Sequence, residues 1–232
     1  MNTRDNSKRS RNLLKEQSLR NPLFLQLHFA IETVKSYFQS LSHEHALKIY
    51  DFGCGEKPYQ VFIEKHHQYI GLDINKNNDK ADIHTDITCV PIEDNVADIV
   101  TSFYVLEHVE DPQKVVNEKY RVLKHGGQLF MLIPLYWEEH EQPYDFFRFT
   151  RFGIEKILQN AGFKNIEVSV VNTSHAILGI HLARLLNRRF FRMLVPIVNY
   201  IFYRLEIRIQ KKSKKENITL SNVMTFAVRG VK

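Results

Sequence analysis

The sequence predicts a single α/β domain built on a mostly parallel sheet. Three observations carry this. Short apolar runs of strand character alternate with amphipathic stretches of helical spacing, the pattern of strands joined by right-handed helical crossovers. The first run, Lys48 to Phe52, leads into a glycine turn, Gly53-Cys54-Gly55, and such turns at the carboxyl end of a parallel strand are where open α/β sheets bind nucleotides. The next run, Tyr69, Ile70 and Leu72, ends in a carboxylate, Asp73, 18 residues after Gly55.

The elements follow in order. Asn21-Pro22 reads as a helix start, with Leu27, Ile31, Val34, Phe38 and Leu41 recurring at helical spacing after it. A first strand is expected at about 47–52, a helix at about 58–66 and a second strand at about 68–73. Residues 82–86 suggest a short third strand ending at Asp86, and 97–102 a nearly all-apolar fourth. Asp111-Pro112 caps a helix bearing Val116, Tyr120 and Leu123, with Gly126 as its stop. A fifth strand at 128–133 ends at Pro134; Thr150 opens a helix with Ile154, Ile157, Leu158 and Ala161, stopped by Gly162. Strands at 164–171 and 223–228 complete seven, the terminal pair forming an antiparallel edge.

The 232 residues, 44% of them hydrophobic, suffice for one domain with a full core. Cys54 and Cys89 provide neither a disulfide framework nor metal-ligand spacing, and the polar, basic N-terminus has no apolar stretch of the kind found in signal peptides. A reducing, cytoplasmic setting is expected. Of the formal +6, the first twenty residues carry +4 and residues 181–215 carry +9, leaving −7 on the rest. The basic character belongs to two appendages, an expected disordered tail at 1–20 and a helical insertion at about 175–216, and points to a polyanionic surface.

The turn departs from the dinucleotide-binding fingerprint. Its third glycine position is Pro58, which disfavours a nicotinamide dehydrogenase, and Asp51 precedes the first glycine, where it suits a cationic ligand better than a pyrophosphate. Asp-x-Gly-x-Gly followed by an acidic strand end resembles the class I S-adenosylmethionine-dependent methyltransferases. The run from Pro91 to Pro134 is similar to the methyltransferase type 11 group: a Pro-x-x-Asp turn, an acidic start to the fourth strand, Leu106-Glu107-His108-Val109, Asp111-Pro112, and Arg121-Val122-Leu123-Lys124 before Gly126-Gly127. The resemblance covers roughly residues 45–170. It implies a Rossmann-like fold and S-adenosylmethionine as cofactor. Asp51, Gly53 and Gly55 would shape the cofactor site, Asp73 would meet the ribose with Ile74 beside it in the cofactor site, Asp86 and Ile87 the adenine, and Ser102 and Phe103 the methionine end.

On the acceptor side, His108 is a residue type suited to a base near neutral pH. The segment Trp137 to Thr150 adds His140, Asp145 and Arg148, with Trp137, Phe146 and Phe147 as a stacking wall of the kind sugar rings need. Its His-x-x-Pro-x-Asp-Phe-x-Arg-x-Thr arrangement resembles methyltransferases of bacterial surface-glycan and lipid-linked-sugar pathways. The competing reading makes Asp145 and Arg148 a helix-entry ion pair with Thr150 as cap. Glu107, His108 and a further His also resemble the ligand set of metal-binding methyltransferases with Glu-x-x-Glu-His, but Tyr104 replaces the first Glu, so a magnesium or zinc site lacks a ligand and no metal is expected.

These readings converge on O-methylation of a saccharide or lipid-linked small molecule, on the inner face of a membrane if the appendages dock there. At eleven residues, the apolar run Met193 to Tyr203 is too short to span a bilayer; a lid or a dimer face is its other reading. A non-catalytic binding module is the first rival, since the third glycine is missing. A nucleic-acid methyltransferase is the second, but Ser102-Phe103-Tyr104-Val105 follows the fourth strand in place of Asn/Asp-Pro-Pro-Tyr.

Overall fold

The computed structural model describes residues 17–41, 45–188, 190–216 and 220–232; most of the expected basic tail lies outside them. Seven strands among the described residues form one sheet: β1 (Lys48–Phe52), β2 (Gln68–Asp73), β3 (Ile83–His84), β4 (Ala97–Phe103), β5 (Leu123–Pro134), β6 (Lys164–Thr173) and β7 (Val223–Val231). Their order is β3-β2-β1-β4-β5-β7-β6. The first five pair in parallel, and β7 runs antiparallel to both β5 and β6. The order reverses between β1 and β4, which opens a crevice beyond their carboxyl ends. Because β6 is antiparallel to β7, its carboxyl end reaches that same edge.

Helices cover both faces. On one side, α1 (Phe24–Gln39) packs Ile31, Val34 and Tyr37 against the sheet, where Tyr37 stacks on Phe130 at 4.0 Å between ring centroids. Two later helices, α4 (Ser174–Leu186) and α5 (Val195–Glu216), join that layer. On the other side lie α2 (Pro112–Val122) and α3 (Arg151–Ala161). The caps are as the residues require: Asp111 accepts the amide of Lys114, Thr150 accepts that of Gly153, and Gly162 ends α3.

Two expectations need correction. The helix expected at 58–66 is only a 3₁₀ turn, Gln60–Phe62. Lys57 has φ +51° and Pro58 follows it, so the chain leaves the glycine turn in a conformation that cannot run on into a helix. Gly126 does not stop α2 either. That helix ends at Val122, and Gly126 lies inside β5, where its amide meets the Lys232 carbonyl at 3.0 Å. Leu123, placed on a helix face by its spacing, is instead the first strand residue and pairs with Ala97.

The segment between β6 and β7 leaves and returns at one point, with the Ser174 amide 3.0 Å from the Asn222 carbonyl. Within it, α5 packs Val195, Phe202, Tyr203 and Ile207 toward the core but has an unusual distribution of the rest. It buries Asn199 and Glu206 while leaving Ile197, Tyr200 and Ile201 exposed. Asn199 donates to the carbonyls of Leu19 and Asn21 at 2.7 and 2.8 Å. Glu206 accepts the Thr173 amide at 2.9 Å and its hydroxyl at 2.7 Å. Buried hydrogen bonds of this kind fix the helix in one position, although the Asn199 side-chain oxygen has no partner of its own.

Candidate active site

The carboxyl edge of the sheet collects the ends of β1, β2, β3, β4 and β5, and with them nearly every residue singled out by sequence. Gly53 leaves β1 at φ +82°, and a Cβ there would lie 2.5 Å from the Val105 side chain. The position therefore excludes any side chain twice over, by backbone and by space. Gly55 also has a positive φ, +50°, but a Cβ on it would meet nothing within 4 Å. It is the open rim of the turn, where a ligand can approach the backbone. Asp73 closes the turn from the end of β2: its carboxylate accepts the amides of Gly55 at 3.0 Å and Asn75 at 2.8 Å. Asn78 holds the Gly55 carbonyl at 2.7 Å, and Lys57 pairs with Asp82. Beside Asp73, Ile74 is 58% exposed, an apolar surface at the mouth of the crevice.

Asp51 and Ser102 are placed differently from their sequence expectation. Asp51 is buried, hydrogen-bonded by the Tyr69 hydroxyl and, at 2.9 Å, by Thr101. Burial raises its pKa, and the Tyr69 and Thr101 hydrogen bonds offset this in part. Ser102 donates to the Phe52 carbonyl at 2.8 Å, stitching β4 to β1. The polar atoms of both residues are engaged inside the fold, from where they shape the turn. Phe103 is buried beside Tyr59, at 4.7 Å between ring centroids. Asp86 holds an exposed turn through Thr88, and Ile87 is buried behind it. Below Asp51, the amine of Lys119 lies 5.9 Å from the Phe52 ring, and burial draws its pKa down to about 7.

The structure brings His108, His140, Asp145 and Arg148 together. His108 belongs to the 3₁₀ turn Leu106–His108 just beyond β4, and the other three to the loop beyond β5. Asp145 is the hub. It accepts both terminal nitrogens of Arg148, at 2.7 and 2.8 Å, and the His140 amide at 2.9 Å. Its oxygens also lie 3.2 Å from His140 Nδ1 and 3.9 Å from His108 Nδ1. The Arg148 hydrogen bonds hold the Asp145 carboxyl well below the usual carboxylate range. The two imidazoles meet edge to face at 4.6 Å. Burial lowers the pKa of His108, so its ring is neutral at neutral pH. The helix-entry ion pair, the Thr150 cap and the polar cluster thus coexist. Phe146 and Phe147 hang from the Glu107 carbonyl by their amides and keep exposed faces.

Glu107 is the residue that sequence reasoning left out of the site. It is 0% exposed, and neither of its carboxylate oxygens has a hydrogen-bond partner. Burial raises its pKa to about 8, opposed in part by its own amide and by Arg148. Its neighbour Val105 touches Gly53, so the glycine turn and the polar cluster are two residues apart along one chain segment.

Residues 50–131 match the methyltransferase domain family known as Methyltransf_11. A probable S-adenosylmethionine-dependent methyltransferase of Mycolicibacterium smegmatis is 30% identical over 108 residues, 42% of either chain. A ubiquinone biosynthesis O-methyltransferase of Chromobacterium violaceum is 34% identical over 98 residues, 36% of this chain and 42% of its own. The chain thus spans about two fifths of these curated relatives. Phosphoethanolamine N-methyltransferase 2 of Haemonchus contortus, solved with S-adenosyl-L-methionine, superposes with a TM-score of 0.58 at 19% identity, over 88% of this chain and 52% of that one.

Proposed function

Given a methyltransferase domain at residues 50–131 within a class I S-adenosylmethionine-dependent methyltransferase fold, we propose that this protein O-methylates a saccharide or another lipid-linked small molecule beside an anionic membrane. The observation that supports this most is the convergence of His108, His140, Asp145 and Arg148 past β4 and β5, with His108 three residues after Val105, which packs on the glycine turn.

The crevice fits the cofactor. Gly55 leaves its backbone open, Asp73 has carboxylate lone pairs to spare for ribose hydroxyls, and Ile74 offers an exposed apolar face to adenine, with Asp86 and Ile87 nearby in the fold. S-adenosylmethionine supplies a methyl group already activated on a sulfonium, so its transfer depends chiefly on positioning. A hydroxyl acceptor must also lose a proton. His108 is suited to take it: the Tyr144 carbonyl, 2.8 Å from Nδ1, can only accept, so Nδ1 bears the proton and Nε2 the lone pair. Asp145 and Arg148 orient the loop, and Phe146 and Phe147 give a sugar ring or an aromatic acceptor a surface to stack on.

The insertion bears on where the acceptor comes from. It departs from the same edge as the cluster, and Arg184 on α4 pairs with Glu138 of the acceptor loop at 2.7 Å. Beyond that contact it exposes Phe190 (88%), Met193 (85%) and Ile197 (55%) among Arg184, Arg188 and Arg192. Exposed apolar side chains interspersed along the chain with arginines suit an anionic bilayer surface. Among the described residues no helix is long and apolar enough to cross a membrane.

Methyl-labelled S-adenosylmethionine offered with polyprenyl-linked sugars, free sugars, a demethylated quinol and RNA tests the reading. Label is expected in an alkali-stable ether of a lipid-linked acceptor. Arg148→Ala should lower turnover by about 10²-fold, with cofactor affinity nearly unchanged. Label in RNA, or cofactor binding without turnover on any acceptor, would favour the nucleic-acid or binding-module reading.

A further inference from the structure

We infer that Glu107, His108 and His140 form a binding site for a divalent transition-metal ion, zinc foremost. One ligand atom from each of the three lies within 4.8 Å of the others, a spacing that one ion can draw together. Two independent features point to an occupant. The first is Glu107 itself, fully buried with both carboxylate oxygens unpartnered. A buried carboxylate without donors is costly, and a cation supplies what the fold withholds. The second is how the histidines are held. His108 Nδ1 is 2.8 Å from the Tyr144 carbonyl, and His140 Nδ1 is 3.1 Å from the Glu138 carbonyl and 3.2 Å from Asp145. In both rings the Nδ1 proton is engaged, which leaves the Nε2 lone pair for coordination. This is how metal-ligating imidazoles are oriented by their outer partners.

Charge and donor type narrow the ion. Asp145 is already matched by Arg148 at 2.7 Å, so the carboxylate left for a divalent cation to neutralise is that of Glu107. Two imidazoles and one carboxylate suit zinc with an open fourth position, and are too nitrogen-rich for magnesium or calcium. The sequence argued against a metal because Tyr104 replaces a glutamate; the fold identifies His140, from a different strand end, as the further histidine beside Glu107 and His108. With the ion bound, His108 would be a ligand and not the base of the O-methylation reading; the ion would instead acidify an acceptor hydroxyl, whose proton would pass to solvent water. The metal site itself does not depend on that reading.

The test reads metal binding directly, with neither cofactor nor acceptor present. Chelator-treated protein carrying His66→Ala and His67→Ala, which remove an exposed Glu64-His66-His67 group of similar spacing, is titrated with Zn²⁺ by calorimetry and with Co²⁺ by visible absorption. One equivalent should bind at micromolar or tighter affinity, Co²⁺ should show ligand-field bands, and Mg²⁺ should not compete. Glu107→Gln and His140→Ala should each weaken Zn²⁺ by tenfold or more, and Glu107→Gln should leave the metal-free protein at least as heat-stable as before. If Glu107→Gln fails to fold, His140→Ala, on a partly exposed ring, decides. Absence of one-to-one binding, or binding unchanged in the His140 variant, overturns the assignment. Failure of methyl transfer in the separate labelling assay would sink the O-methylation reading alone, because this titration contains neither cofactor nor acceptor.

Discussion

The carboxylate of Asp73 holds the amide of Gly55 at 3.0 Å, so the residue proposed to meet the ribose also clamps the glycine turn. The two tasks use different lone pairs of one group. Asp73→Asn should therefore separate them. The side-chain oxygen of asparagine can keep one amide partner, but the charge is lost, and hydrogen bonds to charged groups are worth about 1.5–3 kcal/mol each. Cofactor affinity measured by calorimetry is expected to fall at least tenfold while the melting temperature moves by only a few degrees. A collapse of the fold with no binding defect in the surviving fraction would mean that the clamp is its only task.

Gly53→Ala should be among the most damaging single changes. It forces a side chain into φ +82° and to within 2.5 Å of Val105. Left-handed strain costs about 1–2 kcal/mol and overpacking about 1–3 kcal/mol. Adding Val105→Ala removes the clash but not the strain, so urea denaturation should show partial recovery in the double variant. Full recovery would mean that the backbone conformation is of no consequence.

Lys119 gives stability a pH dependence of predictable sign. Its folded pKa is about 7, whereas an unfolded lysine titrates near 10.4. Between those values the unfolded chain binds more protons, so stability rises with pH, by up to ~1.4 kcal/mol per unit. Below pH 7 the dependence from this group levels off. Chemical denaturation from pH 7 to 9.5 should show a rising profile that flattens in Lys119→Met. The same slope in both proteins would assign the effect to another group.

The outward apolar patch should behave as a membrane contact. The whole protein is expected to cosediment with anionic phosphatidylglycerol vesicles, weakly with phosphatidylcholine, and less in high salt. Burying a large apolar side chain is worth about 1.5–3 kcal/mol, so replacing Phe190 and Met193 by Glu should abolish most binding while leaving the melting temperature nearly unchanged. A loss of solubility or of dimer content, with no lipid effect, would make the patch an interface between copies of the chain.

Much of this was legible in the sequence because strand ends and caps are local. The glycine turn, Asp73, the caps at Asp111 and Thr150 and the stop at Gly162 each follow from a few adjacent residues, and the structure places them as expected. What was not legible depended on the third dimension. Asp51 reads as a site carboxylate by position, yet Tyr69 and Thr101 from the two flanking strands engage it inside the fold. The apolar spacing through Leu123 hid that this residue opens β5, because register with Ala97 decides it. Glu107 looks like part of a loop motif, and only the burial of its carboxylate without a partner marks it as unusual.

The anchoring of α5 has a consequence for geometry at a surface. Asn199 ties the helix to Leu19 and Asn21, and Glu206 ties it to Thr173 at the end of β6. These attachments are buried, so the insertion cannot swivel without opening them. A protein resting on a bilayer through Phe190 and Met193 would therefore lie at one fixed tilt, with the mouth of its crevice at one fixed height. Selection among acceptors then becomes partly a matter of reach. The group to be methylated must stand off its lipid by the distance the fold has set, and chemically identical groups on shorter or longer tethers would be passed over.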